Sequence, residues 1–258
     1  MKLLWLLTLL CLFSGCTARK QKRFFEMAED KIQSGSYFEA VDAFRRGISI
    51  NPESRAALKA LFRLGFAQEV YLRDYEASVY SYQEYLRLAQ DPVGKYEVQK
   101  RVANVYFEHT QEPEKAMEAY RRLLELKIDS LERDQFYFRI ARSHFLQNNF
   151  EEARSEYQNL LTQFPRSQLI PKTRFEIGNT YFMEGKYRLA IEAFKQVLRN
   201  HPQHPHAIEA QFWIAQSFEQ LGELDQAREN YKQLRIKYPT PEVVEKRLAD
   251  LEKRIKKK

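Results

Sequence analysis

Cysteine, glycine and long apolar runs are all scarce in this chain, and each shortage excludes something. Two cysteines occur in 258 residues. Cys11 lies in an apolar segment, Leu3 to Phe13, that has the form of a removable leader, so the chain downstream keeps Cys16 alone and can form no internal disulfide. Eight glycines and nine prolines exclude a collagen-like or low-complexity chain, and 44% hydrophobic with 14% aromatic residues excludes a disordered one. Charge of one sign is missing as well. A formal +7 is spread among 35 acidic residues, without a concentrated basic face or an aromatic RNA-binding motif, so nucleic acid is not expected as a partner. No phosphate-binding glycine loop, Gly-x-Ser-x-Gly elbow or HExxH pair is present, so neither an enzyme nor a cofactor is expected.

The Leu3–Phe13 run falls short of the roughly 20 residues that a helix needs to cross a bilayer. Met1-Lys2, the apolar stretch and the small residues Ser14-Gly15 describe a secretory signal instead.

What the chain does have is a repeat. Phe138 to Pro165, Phe175 to Pro202 and Phe212 to Pro239 align without a gap. Each has a small residue (Ala141, Gly178, Ala215), an aromatic or His three later (His144, Tyr181, Phe218) and a turn residue (Asn148, Gly185, Gly222). An alanine follows (Ala153, Ala190, Ala227), then an aromatic (Tyr157, Phe194, Tyr231) and a closing proline. Three earlier units fit less closely, keeping Ala28, Gly35, Ala40 and Phe44, then Gly65, Ser78 and Tyr82, then Ala103, Tyr106, Ala116 and Tyr120, with Pro113 in the turn of the third. After Pro239 the pattern becomes one amphipathic stripe, Val244, Leu248, Leu251 and Ile255, as a capping helix requires.

This frame resembles the tetratricopeptide repeat, two antiparallel helices per unit. The resemblance implies an all-α, right-handed α-solenoid of about six helix pairs. The expected domains are a signal peptide at 1–15, a lipidated Cys with a short basic linker at 16–23, six repeats at 24–239, and a capping helix with a basic tail at 240–258. "LFSGC" is similar to the lipobox of bacterial lipoproteins, which implies lipidation of Cys16. A simple cleaved signal and an uncleaved anchor remain the other readings. Thr17 is not the Asp that retains many such lipoproteins at the inner membrane, so the expected location is the outer membrane, facing the periplasm.

The resemblance also implies a partner-binding groove lined by the first helix of each pair. Its fifth position reads Phe25, Phe62, Lys100, Phe138, Phe175 and Phe212, and its ninth gives Asn104, Arg142, Asn179 and Gln216. Two readings of the phenylalanines stay open: apolar anchors for a partner, or packing between helices. Asn179 and Arg142 are expected as polar guides, an Asn at the ninth position hydrogen-bonding a bound backbone, and Lys100, Asn104 and Arg142 are expected to bind a terminal or side-chain carboxylate. "HPQHPH" gathers His201, His204 and His206 but lacks further ligands to close a metal site, so no metal is expected. Together these features look like the envelope branch of the family. The implied function is a lipid-anchored scaffold that binds envelope proteins or extended peptide segments during outer-membrane assembly. A pilotin-like secretin factor, a Tol-Pal-linked coordinator and a periplasmic ligand- or metal-binding protein are the alternatives.

Overall fold

Six buried aromatic rings, one per helix pair, organise the fold. Phe44, Tyr82, Tyr120, Tyr157, Phe194 and Tyr231 are all essentially inaccessible to solvent, and the small residue four positions before each (Ala40, Ser78, Ala116, Ala153, Ala190, Ala227) is fully buried too. On the first helix of each pair, a residue with little or no side chain lets the ring approach. At Gly65 an added Cβ would lie 2.7 Å from Tyr82 Cδ1, and at Gly178 it would lie 2.5 Å from Phe194 Cδ1. Gly178→Ala is therefore expected to overpack this contact and cost about 1–3 kcal/mol. A chemical-denaturation midpoint identical to that of the parent chain would contradict the contact.

The computed structural model describes residues 2–126, 128 and 131–256, with side chains from Thr17 onward. It is all-α, with no strand among the described residues. The pairs fall into two units, Met1–Asp129 and Ser130–Lys258. The first holds α1 (Lys2–Gln33), α2 (Tyr37–Ile50), α3 (Arg55–Phe66), α4 (Tyr75–Leu88), α5 (Pro92–Asn104) and α6 (Pro113–Glu125). The second holds α7 (Arg133–Leu146), α8 (Phe150–Gln163), α9 (Ile170–Met183), α10 (Tyr187–Asn200), α11 (Pro205–Gln220), α12 (Leu224–Leu234) and α13 (Pro241–Ile255). Within each unit the helix pairs stack in chain order as a tetratricopeptide-like solenoid. The cap has the expected stripe: Val244 and Leu251 are fully buried, and Leu248 and Ile255 pack against the same cluster.

The turns inside the pairs show how the less regular early repeats keep the frame. Gly35, Arg73, Gln111, Asn148, Gly185 and Gly222 all adopt positive φ, between 54° and 76°, one per pair. In the second and third pairs an extra residue is absorbed by π-helical turns, Ala67–Leu72 and Val105–His109, that continue α3 and α5. Left-handed backbone at Arg73 and Gln111 is unfavourable for side chains other than Gly. The π turns return stacking energy: Tyr71 lies on Tyr37 at 4.4 Å and His109 on Tyr75 at 4.3 Å, both nearly parallel. Pro113 does not sit in the third turn. It opens α6, where its missing N–H costs nothing.

At the N-terminus, α1 runs through 16–23 without a break, so the expected linker is helical. Gln21 is buried there and donates to the carbonyls of Gly47 and Asn51, both at 3.0 Å. The side chains of residues 1–16, where the leader and the lipidated Cys16 are expected, lie outside the described residues. Among the described residues, no helix is long and apolar enough to cross a membrane.

Candidate partner-binding face

Positions i, i+4, i+7 and i+8 of a helix share one face, and this rule builds equivalent stripes on α7 and α9. On α7 the stripe is Phe138, Arg142, Phe145 and Leu146; on α9 it is Phe175, Asn179, Phe182 and Met183. The helices are tied together by a buried carboxylate. Glu176 on α9 accepts from Arg142 Nη1 at 3.2 Å and from its own helix's Asn179 Nδ2 at 3.1 Å. The Arg142 guanidinium also covers the Phe145 ring at 4.6 Å. Glu176 is 8% exposed, so removing either donor strips a partner from a charge that water barely reaches. Beneath it, burial raises the Tyr157 phenol well above its usual pKa, and the nearby Glu176 carboxylate adds to the effect.

The expected phenylalanine ladder turns out to be largely packing in this unit. Phe138 meets Tyr157 at 5.5 Å, Phe175 meets Phe194 at 5.4 Å and Phe212 meets Tyr231 at 5.7 Å. Each ring is covered again from the next pair or the cap connection: Lys172 over Phe138 at 4.8 Å, His206 stacked on Phe175 at 5.0 Å, and Tyr238 stacked on Phe212 at 5.0 Å. Phe138 and Phe175 are 8% and 5% exposed, which favours the packing reading of the two left open. The open apolar positions lie two turns further along the same stripes. Leu146 is 53% exposed and Met183 is 56% exposed. Repeat alignment gave no signal for these two, because it singled out the fifth and ninth positions and stopped short of the helix ends.

Phe62, Lys100 and Asn104 belong to the other unit. Phe62 packs between Tyr82 and Tyr85, each 6.3 Å away, with the Arg101 guanidinium 5.6 Å above it. Lys100 pairs with Glu97 at 3.6 Å and lies 5.6 Å from the Tyr96 ring centroid, and Asn104 accepts from the Tyr120 hydroxyl at 2.9 Å. Successive first helices are again joined by ion pairs, Arg63 with Glu29 and Arg101 with Glu69. Glu69 also takes the Tyr82 hydroxyl at 2.6 Å. Burial, then that carboxylate, pushes the Tyr82 phenol far above its usual pKa.

The histidines are placed for packing. His206 stacks on Phe175, with its Nδ1 3.0 Å from Glu209, and burial lowers the pKa values of His201 and His204. Among the described residues, no group of three His, Cys, Asp or Glu is placed to hold a metal.

Comparison with known proteins agrees with this geometry. Residues 135–167 and 175–240 each match a tetratricopeptide-repeat family model. The fold is a tetratricopeptide-repeat fold. Among solved structures, PilW, described as a widely conserved type IV pilus biogenesis factor, superposes with a TM-score of 0.55 at 15% identity, covering 88% of this chain and 98% of its own. YrrB, described as a TPR protein with an unusual peptide-binding site, gives 0.52 at 15%, covering 79% of this chain and 96% of that one. A chain of the Naa15/Naa10 structure bound to HypK-THB gives 0.68 at 13%, covering 91% of this chain but 34% of that one. At these identities the likeness concerns the fold. No curated protein matches the chain by sequence.

Proposed function

We propose that this protein is a non-catalytic scaffold, lipid-anchored through Cys16 at the periplasmic face of the outer membrane. It holds an extended segment of another envelope protein on the α7–α9 face during assembly of an envelope complex. The observation behind this reading is the junction of Arg142, Glu176 and Asn179 beside exposed Leu146 and Met183. Apolar side chains of a segment cover the leucine and methionine. Arg142, one of whose five donors is committed to Glu176, takes a carbonyl or carboxylate of the same segment. Asn179 keeps its amide oxygen for a backbone N–H. Phe62, Lys100 and Asn104 supply a second, smaller set of contacts in the other unit. The peptide-binding site described for YrrB is a precedent for this use of the fold.

The anchor rests on "FSGC" followed by Thr17. Two or three acyl chains, each buried methylene contributing about 0.8 kcal/mol, make a durable attachment. Cys16→Ser is expected to abolish incorporation of a labelled fatty acid and release the protein from the membrane fraction. A variant that still takes up label would overturn the anchor. Photo-crosslinkers at positions 146 and 183 are expected to trap a discrete envelope protein in cells. A β-barrel assembly subunit supports outer-membrane assembly, whereas a secretin or a Tol-Pal subunit moves the scaffold to that complex.

A further inference from the structure

A cavity of about 550 Å³ opens in the first unit, walled by α2 and α4 and floored by α3 with its π turn. Its counterpart in the second unit, between α8 and α10, measures about 290 Å³. The two are built from the same register positions. Arg45, Ile48, Leu61 and Leu64 of the first correspond to Gln158, Leu161, Arg174 and Ile177 of the second. The telling difference is at the floor. Tyr181 lines the second cavity, and Tyr106, His144 and Phe218 take the same register in their own pairs, but the first cavity has Gln68 there. A ring that the repeat normally supplies from inside is missing, and the space for it is open to solvent.

The floor and rim show what would fill that space. Gln68 is 1% exposed, and its amide is fully engaged. With the oxygen turned toward Arg45, it accepts from Nη2 at 3.2 Å, while its nitrogen donates to Ser81 Oγ at 2.7 Å and Ala77 O at 3.1 Å. The floor is therefore satisfied and rigid, and it asks an occupant for shape more than for hydrogen bonds. The apolar lining is aliphatic, from Leu61 and Leu64 of the floor and Ile48 and Leu88 of the walls, with Tyr80 and the Arg87–Glu84 ion pair along α4. Arg45 itself stands exposed at the rim and has no carboxylate within ion-pair distance among the described residues. Its neighbours differ: Arg46 is paired with Asp42 at 2.8 Å, and Arg87 with Glu84 at 2.9 Å. An apolar slot shaped for a ring, with one uncompensated cation at its edge, complements an aromatic group next to a carboxylate.

We propose that this cavity is a second docking site that takes an aromatic side chain from a partner protein, with an adjacent acidic residue pairing with Arg45. The site lies wholly in the first unit, so it stands or falls independently of the α7–α9 face. The occupant completes the stack by replacing the missing ring of the second pair.

The test is calorimetric titration of the full chain with the blocked peptide acetyl-Phe-Asp-Glu-amide. Controls are the same peptide with Ala in place of Phe, the same peptide with both acids changed to Lys, and phenylacetate. The proposal expects binding of the first peptide and at least tenfold weaker binding of every control. Gln68→Tyr, which restores the internal ring, should weaken binding of the first peptide at least tenfold while preserving the helical circular-dichroism signal. Arg45→Ala, which gives up one bond to the Gln68 amide oxygen, should keep the helical circular-dichroism signal and remove most of the preference for acidic over Lys-containing peptide. Equal binding of all peptides, no binding at all, or undiminished binding by a folded Gln68→Tyr protein would each overturn the proposal. Phenylacetate binding as tightly as the peptide would also overturn it, in favour of a site for free aromatic acids.

Discussion

Ala190→Arg is expected to unfold the second unit under conditions in which the parent chain is fully folded. Ala190 is completely buried at the contact of α10 with its neighbours, in one cluster with Phe175, Phe194, Val197 and Ile214. An arginine there must either bury a charge without a partner or push two helices apart. Either outcome costs about 4 kcal/mol or more, at the extreme of what single substitutions do. It is also a large share of the 5–15 kcal/mol typical of a whole domain. Because repeats are stabilised mainly by their neighbours, the damage should spread along the unit instead of staying in one pair. Urea unfolding followed by circular dichroism would show it as a lost or strongly shifted transition. An unshifted curve would contradict the placement of Ala190.

Phe175→Ala is the second large effect. The ring contacts Phe194 on one side and stacks on His206 on the other, and it is 5% exposed. Truncation leaves a cavity between three helices that cannot easily collapse, because Phe194 is held in turn by Gly178 and Ala190. The expected loss is about 3–5 kcal/mol of folding stability. A ring that served only as a partner anchor would instead cost affinity and leave stability nearly unchanged, so parallel melting and binding measurements separate the two roles.

These residues also show what the sequence could and could not reveal. Small residues and aromatics four apart have few physical explanations other than helices in close contact, so Gly178, Ala190 and Phe194 were legible before any coordinates. The stripe of α13 was legible for the same reason, since Val244, Leu248, Leu251 and Ile255 keep helical spacing. The π turns were not. An extra residue in a turn can be absorbed in several ways, and Arg73 and Gln111 look nothing like the glycines whose left-handed conformation they share. The division into two units was hidden as well, because the repeat frame continues through it. The face proposed for binding was half legible: the ninth position located Arg142 and Asn179. Glu176, which joins them, reads in sequence as one more surface acid, and only packing shows it to be buried. Gln68 gives no signal in the sequence, because a single polar residue in an aromatic register gains meaning only through the space it leaves.

The most direct test of the scaffold reading is the affinity of the crosslinked partner for a Leu146→Ala, Met183→Ala double variant, measured beside its thermal melt. Both side chains are more than half exposed, so the melt should match that of the parent chain. If the α7–α9 face holds the partner, the dissociation constant should rise at least tenfold, equivalent to about 1.4 kcal/mol. Unchanged affinity in a normally folded variant would contradict the account.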